Sequence, residues 1–262
     1  MAVGRVEIGG IGTVSCQDGA RVQQRLPTLL DTTIMFAHRG ARAHAPENTL
    51  PAFQLALELG ASGLESDVWL TRDGVPVLVH DGEIGRRMRK RRIADLRRDE
   101  LPEHIPTIDD LIVACGTEFH LSLDLKAAQS GQPLIDAIAA RSHDLVERTW
   151  LCHPDLATLA ALRPANPGVK LVHSTRLTRL SEGAERHAAR LADAGVDGIN
   201  MRRDDWNGGL VALFHRFERT AFAWDLQFEH ELTAALRMGC DGIYSDWVDR
   251  MVAAYKADKA GP

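Results

Sequence analysis

Cysteine is scarce in this chain: four residues, Cys16, Cys115, Cys152 and Cys240, with no C-x-x-C pair and no short His–Cys spacing. That excludes a zinc-finger-like site and a disulfide framework, and leaves free thiols, the ordinary state in a reducing compartment. No apolar run approaches the ~18–20 residues that span a bilayer, so no transmembrane helix is expected. A basic excess is missing too. The 31 Lys and Arg stand against 36 Asp and Glu, a formal net charge of −5, whereas a dedicated nucleic-acid binder is usually basic. The N-terminus has no basic stretch, apolar core and A-x-A ending of a secretion signal, and the cytoplasm is the expected compartment.

What is present is enough for one large core. The chain has 262 residues, 45% of them hydrophobic and 26% charged, a size at which a domain folds without staples. Residues 1–33 are glycine-rich and aperiodic, and read as an N-terminal extension or a mis-assigned start, because Met35 stands just before the first strand signal. From Ile34 onward short apolar runs alternate with longer helical patterns. Eight strands are predicted: Ile34–His38, Gly63–Trp69, His120–Leu125, Thr149–Cys152, Val169–His173, Gly198–Met201, Ala221–Trp224 and Gly242–Tyr244. Eight helical patterns follow them in turn. Asp155, Ser181 and Asp246 stand where helix caps belong, and Gly60, Gly195 and Gly239 where helices stop. The alternation predicts an α/β fold, a (β/α)8 TIM barrel over residues 34–262. One segment departs from it. Asp73-Gly74 separates two β-rich runs and predicts a hairpin, Thr71–Asp81, whose second run returns antiparallel. An insertion over residues 82–106 follows, and hairpin and insertion are expected to overhang the C-terminal mouth.

Residues at the C-terminal ends of barrel strands converge on one face. Reading those ends collects His38 and Arg39 from the first strand, Glu65 and Asp67 from the second, Asp124 and Lys126 from the third, and His80 with Asp81 from the hairpin. Glu65 and Asp67 are two apart, hence on one side of their strand. With Asp124 they form an all-oxygen set, which suits a hard divalent cation such as Mg2+ or Ca2+ better than zinc. His38 and His80 are natural proton donor and acceptor near neutrality. Arg39 and Lys126 can hold phosphate oxygens.

These residues stand in an ordered set of blocks: Phe36-Ala37-His38-Arg39-Gly40, Pro46-Glu47-Asn48-Thr49, Glu65-Ser66-Asp67-Val68, Thr71-Arg72-Asp73-Gly74, His80-Asp81, Leu123-Asp124-Leu125-Lys126 and Cys240-Asp241-Gly242-Ile243-Tyr244-Ser245-Asp246. From Met35 to Trp247 the chain resembles the glycerophosphodiester phosphodiesterase family. The resemblance implies that His38 and His80 are the two catalytic histidines, that Arg39 contacts phosphate with Lys126 alongside, and that Glu65, Asp67 and Asp124 bind the metal. It implies hydrolysis of glycerophosphodiesters to glycerol 3-phosphate and an alcohol, through a cyclic phosphate. Glu47 is expected to be a supporting carboxylate, and Asn48 to cap a helix or orient the mouth.

Three departures stand out. Asp124 falls where the family usually has a glutamate one methylene longer. The threonine- and glycine-rich stretch after His-Asp is replaced by Gly85-Arg86-Arg87-Met88-Arg89-Lys90-Arg91-Arg92, and Trp224 is followed by Asp225-Leu226-Gln227 rather than threonine and asparagine. Trp224 is either a wall of the substrate cleft or a core aromatic. Eight Lys and Arg lie within Arg86–Arg98, either a solvated face or an attraction for an anionic substrate or a membrane surface. The alternatives are a lysophospholipase D acting on lysophospholipids and a barrel that binds phosphodiesters without catalysis. The oligomeric state is open.

Overall fold

Alternation along each strand sorts its side chains between two cores, and this builds the molecule. In the computed structural model, which describes residues 25–85 and 90–260, β1 (Ile34–His38) sends Met35 and Ala37 outward to the helices and Ile34 and Phe36 inward. In β6 (His120–Leu125) the three leucines join the outer core, while Ser122 and Asp124 lie on the other side of the strand. The remaining long strands are β2 (Gly63–Leu70), β7 (Thr149–His153), β8 (Lys170–Ser174), β9 (Gly198–Arg202), β10 (Thr220–Trp224) and β11 (Gly242–Ser245). All pair in parallel in the order β1-β11-β10-β9-β8-β7-β6-β2, and β1 also pairs with β2, which closes an eight-stranded barrel. Inside it Phe36, Trp150, Val172, Phe222 and Tyr244 form the inner core. Gly63 makes room for them: a Cβ there would lie 2.5 Å from the Phe36 ring.

The helices lie outside. Thr49 caps α1 (Leu50–Glu58) by accepting from Ala52 N–H, and Thr107 with Asp110 forms a capping box on α2 (Ile108–Cys115). α3 (Gly131–Ala139) is followed by a five-residue α4 (His143–Glu147) that periodicity does not reveal. Asp155 caps α5 (Leu156–Leu162) as expected. Ser181 does not cap α6 (Ala184–Asp193); Gly183 precedes it, and the chain turns there with positive φ. α7 (Gly208–Arg216), α8 (Glu229–Arg237) and α9 (Val248–Ala260) complete the ring. Gly60, Gly195 and Gly239 all have positive φ at helix ends, as expected.

The hairpin forms as read. β3 (Pro76–Leu78) runs antiparallel to the end of β2, Val68 opposite Leu78. The insertion carries a two-stranded ribbon, β4 (Glu83–Ile84) with β5 (Arg91–Arg92), and a small core of Val77, Ile93, Leu96, Leu101 and Ile105. Part of the segment expected as an extension, residues 25–33, packs against the opposite end of the barrel. Leu29 and Leu30 N–H both donate to Asp241, Leu26 N–H donates to Arg237 O, and Leu30 packs on the inner core. Residues 1–24 lie outside the described part. Among the described residues no helix is long and apolar enough to cross a membrane.

Candidate active site

At the end of β1 the backbone of Arg39 adopts φ 53°, a conformation L-residues seldom take. The turn aims its N–H at Glu65 Oε2, 2.9 Å away. Asn48 and Asp225 also have positive φ, so strained backbone gathers around this mouth. His38, just before the turn, is held by two carboxylates. Its Nδ1 lies 2.6 Å from Asp246 Oδ1, and its Nε2 lies 3.8 Å from Glu65 Oε2. Burial pushes the imidazole down, but Glu65 and Asp246 outweigh it and leave the pKa above the ordinary 6.5.

The Asp67 and Asp124 positions face each other across β2 and β6 in register, as do Glu65 and Ser122. Lys126 Nζ stands between the two aspartates, 2.7 Å from Asp67 and 2.5 Å from Asp124. Burial pushes Asp67 up, but Lys126 and Arg39 hold it below the usual carboxylate range. Glu65 is pushed up to about 7 by burial; His38 pulls it back, and Asp67 and Asp124 add to the rise. Asn48 steadies this wall, donating to Asp67 at 3.4 Å and accepting from Ser66 Oγ at 2.7 Å. It orients the mouth, while Thr49 takes the cap. Glu47 is a supporting carboxylate, bridging Arg39 at 3.0 Å and Arg42 at 2.6 Å. Arg39 Nε is buried without a well-angled hydrogen bond, although Asp67 is 3.1 Å away.

Seven of the eight predicted site residues, all but His80, line one cavity of about 510 Å3: His38, Arg39, Glu65, Asp67, Asp124, Lys126 and Trp224. Trp224 lines this cavity and also packs on the inner core. His80 lines a neighbouring cavity of about 300 Å3, with Glu47, Asn48 and Asp81. Its Nδ1 is 2.9 Å from Asp81. Asp246 was expected as a helix cap; its carboxylate turns to His38 instead. It directly follows β11, so the strand-end rule that found the others could have found it. Asn200, Arg176 and Arg179 on the far wall had no signal of that kind.

Three carboxylates from adjacent strands, mutually repelling and partly buried, match a hard divalent cation in donor chemistry. The rise in Glu65 comes first from burial, with the charges of Asp67 and Asp124 adding to it. In the present geometry the Lys126 ammonium neutralises Asp67 and Asp124. Among the described residues no group of three or more His, Cys, Asp or Glu side chains is arranged as a metal centre. Along the basic stretch, Lys90, Arg91, Arg97 and Arg98 each face an acid: Glu83, Glu100, Asp73 with Asp99, and Asp110. Arg86, Arg87 and Arg89 lie outside the described residues.

Residues 38–250 match the model of the glycerophosphoryl diester phosphodiesterase family. A glycerophosphodiester phosphodiesterase of Bacillus altitudinis is 26% identical over 247 residues, covering 84% of this chain and 97% of its own length. A probable glycerophosphodiester phosphodiesterase 2 of Mycobacterium tuberculosis is 29% identical over 239 residues, covering 82% and 88%. A solved putative glycerophosphodiester phosphodiesterase from Galdieria sulphuraria superposes with TM-score 0.76 at 22% identity over 86% of this chain and 98% of that one. A phosphodiesterase from Oleispira antarctica, solved with the product sn-glycerol-3-phosphate, superposes with TM-score 0.73 at 21% identity over 86% and 98%.

Proposed function

The chain belongs to the glycerophosphoryl diester phosphodiesterase family, and from that premise we propose that it hydrolyses glycerophosphodiesters to glycerol 3-phosphate and an alcohol, in a metal-dependent reaction run by His38 and His80. One observation carries the reading. His38, bonded to Asp246, faces the same cavity as the carboxylates, Arg39 and Lys126, so proton transfer and charge neutralisation meet at one point.

Glu65, Asp67 and Asp124 would hold the divalent cation, Mg2+ or Ca2+, which supplies Lewis-acid neutralisation of the diester's charge. Arg39 and Lys126 bind the phosphoryl oxygens, Arg39 through the guanidinium that lines the cavity. The glycerol 2-hydroxyl oxygen bonds to phosphorus as its proton passes to His80. The bond from phosphorus to the alcohol oxygen breaks, and that oxygen takes the proton from His38 Nε2, leaving a cyclic phosphate. Water deprotonated by His38 opens the ring, and His80 returns its proton to the 2-oxygen. A His38 that keeps its proton above the ordinary pKa is suited to the first donation. Trp224 forms an apolar wall beside the glycerol or the alcohol.

The test is turnover of a diester panel by the purified protein with Mg2+, with Ca2+ and with EDTA, following products by phosphorus NMR. Glycerol 3-phosphate should form with metal and vanish with EDTA. His38→Ala should lower the rate by roughly 10²–10⁴-fold. A folded protein that turns over no diester under any of these conditions overturns the reading.

A further inference from the structure

Each wall of the mouth carries a buried polar side-chain atom without a hydrogen bond, Arg39 Nε on the β1 side and Asn200 on the other, but only Asn200 lacks an ionic neighbour. On the β1–β2–β6 wall every carboxylate has a partner. The opposite wall is built by β8 and β9, and there the Asn200 side chain has none among the described residues. Asn200 is 7% exposed; its carbonyl oxygen is closed off without a donor, and its amide nitrogen, which makes no hydrogen bond either, is the end left open to the cavity. The residue lines the mouth cavity. Strand order sets β9 directly across the barrel from β2, which carries Glu65 and Asp67. Other polar groups inside the barrel are paired, such as Ser122 with the Tyr244 hydroxyl at 2.9 Å. An amide N–H that faces a cavity without an acceptor gains its bond when a ligand oxygen supplies one.

The charge on that wall is also uneven. Arg176 is paired with Asp205, and Arg202 with Asp204 and Asp225. Arg179 is exposed, lines the same cavity, and meets no carboxylate within ion-pair distance among the described residues. A free guanidinium at the rim repels a cation. An aromatic cage, the usual receptor for a quaternary ammonium, is not built here. Of the two aromatic rings on the cavity, Tyr244 is stacked on Phe36 at 4.7 Å and bonded through its hydroxyl, which leaves Trp224 alone.

We infer that the alcohol part of the substrate is a polyhydroxy alcohol rather than choline, with Asn200 as the residue that reads its hydroxyls and Arg179 as the rim charge that turns cations away. A hydroxyl can both donate to and accept from an amide; a quaternary ammonium can do neither. The inference rests on the phosphodiesterase reading and adds the class of alcohol to it.

The experiment compares kcat/KM for glycerophosphoinositol and glycerophosphocholine in the wild type, Asn200→Ala and Arg179→Gln. The wild type should favour the inositol diester by about tenfold or more, the size of one to two hydrogen bonds. Asn200→Ala should lose about tenfold on the inositol diester and hold the choline diester within about twofold. Arg179→Gln, a surface change that leaves the fold intact, should raise the choline diester a few-fold while the inositol diester changes less. A wild type that prefers the choline diester overturns the inference, as does an Asn200→Ala variant that loses both diesters equally. If neither diester is hydrolysed, the phosphodiesterase reading is what has failed. Calorimetric affinities of the two intact diesters for wild type and Asn200→Ala then decide the inference separately, and equal affinities overturn it.

Discussion

His38 depends on a carboxylate that directly follows the last strand of the barrel. Asp246 accepts from its Nδ1 at 2.6 Å, which fixes the ring and turns Nε2 to the cavity. Burial alone would lower the imidazole pKa; Glu65 and Asp246 together reverse the sign. Asp246→Asn keeps an acceptor and removes the charge. The pKa of His38 should therefore fall, so the alkaline limb of the kcat profile moves to lower pH and kcat drops by roughly 10²-fold or more. A limb that stays in place would separate Asp246 from the acid. His38, Arg39, Glu65, Asp67, Asp124 and Lys126 were legible because ionisable side chains at barrel strand ends have few other uses. Asp246 was hidden by its position before a helix, where an aspartate also caps, and only closure of the ring sets β11 beside β1. Asn200 is uncharged and bears no motif. Its meaning lies in a missing partner, which exists only in three dimensions.

The segment joining β7 to α5, the end of β8 and helix α6 are tied together by two buried histidines. His173 Nε2 donates to Pro154 O at 3.0 Å, and its Nδ1 accepts from His187 Nε2 at 3.0 Å. His187 Nδ1 in turn faces Arg190 at 3.1 Å and Glu182 at 3.2 Å. With Arg190 donating, both rings are neutral. Burial pushes His173 down to about 4, with help from His187 and Arg190 and opposition from Asp155; burial lowers His187 as well. The unfolded chain binds the proton near pH 6.5 and the folded one does not. The stability that this pair contributes is therefore present above 6.5 and is lost as pH falls toward 4. The shift of His173 corresponds to about 3 kcal/mol at about 1.4 kcal/mol per unit. Urea denaturation at stepped pH should show that loss, and His173→Gln should flatten it. A variant that tracks the wild type through this window would remove His173 as its source. The strand limits of these elements were legible to within a residue or two, because the switch from period 2 to period 3.6 is sharp. The pairing of His173 with His187 was not, since one lies on a strand and the other on a helix 14 residues on.

Closure of the barrel away from the site depends on Asp241, which is fully buried and carries four donors. Leu29 and Leu30 N–H reach one oxygen, at 2.6 and 3.2 Å; Ala221 N–H and His215 Nε2 reach the other, both at 2.8 Å. The incoming chain also holds Thr33 against Cys240 O at 3.0 Å and lies so close to Gly239 that a Cβ there would be 2.7 Å from Pro27 O. A domain boundary at residue 34, read from the first sustained strand signal, falls inside this packing. Residues 25–33 bond through their backbone, and backbone bonding leaves no trace in a side-chain pattern. Their removal would strip Asp241 of two donors and uncover the inner core beneath Leu30, while α8 would lose the bond from Leu26 to Arg237 O. A chain beginning at residue 34 should therefore be less stable than one beginning at residue 25, by about 3 kcal/mol for a buried carboxylate left half-satisfied. That corresponds to a Tm lower by roughly 6–12 °C for a domain of this size. Asp241→Ala in the full chain should cost at least as much, because four donors then lose their acceptor. Equal melting of the two truncated chains would show that the segment covers the barrel without supporting it.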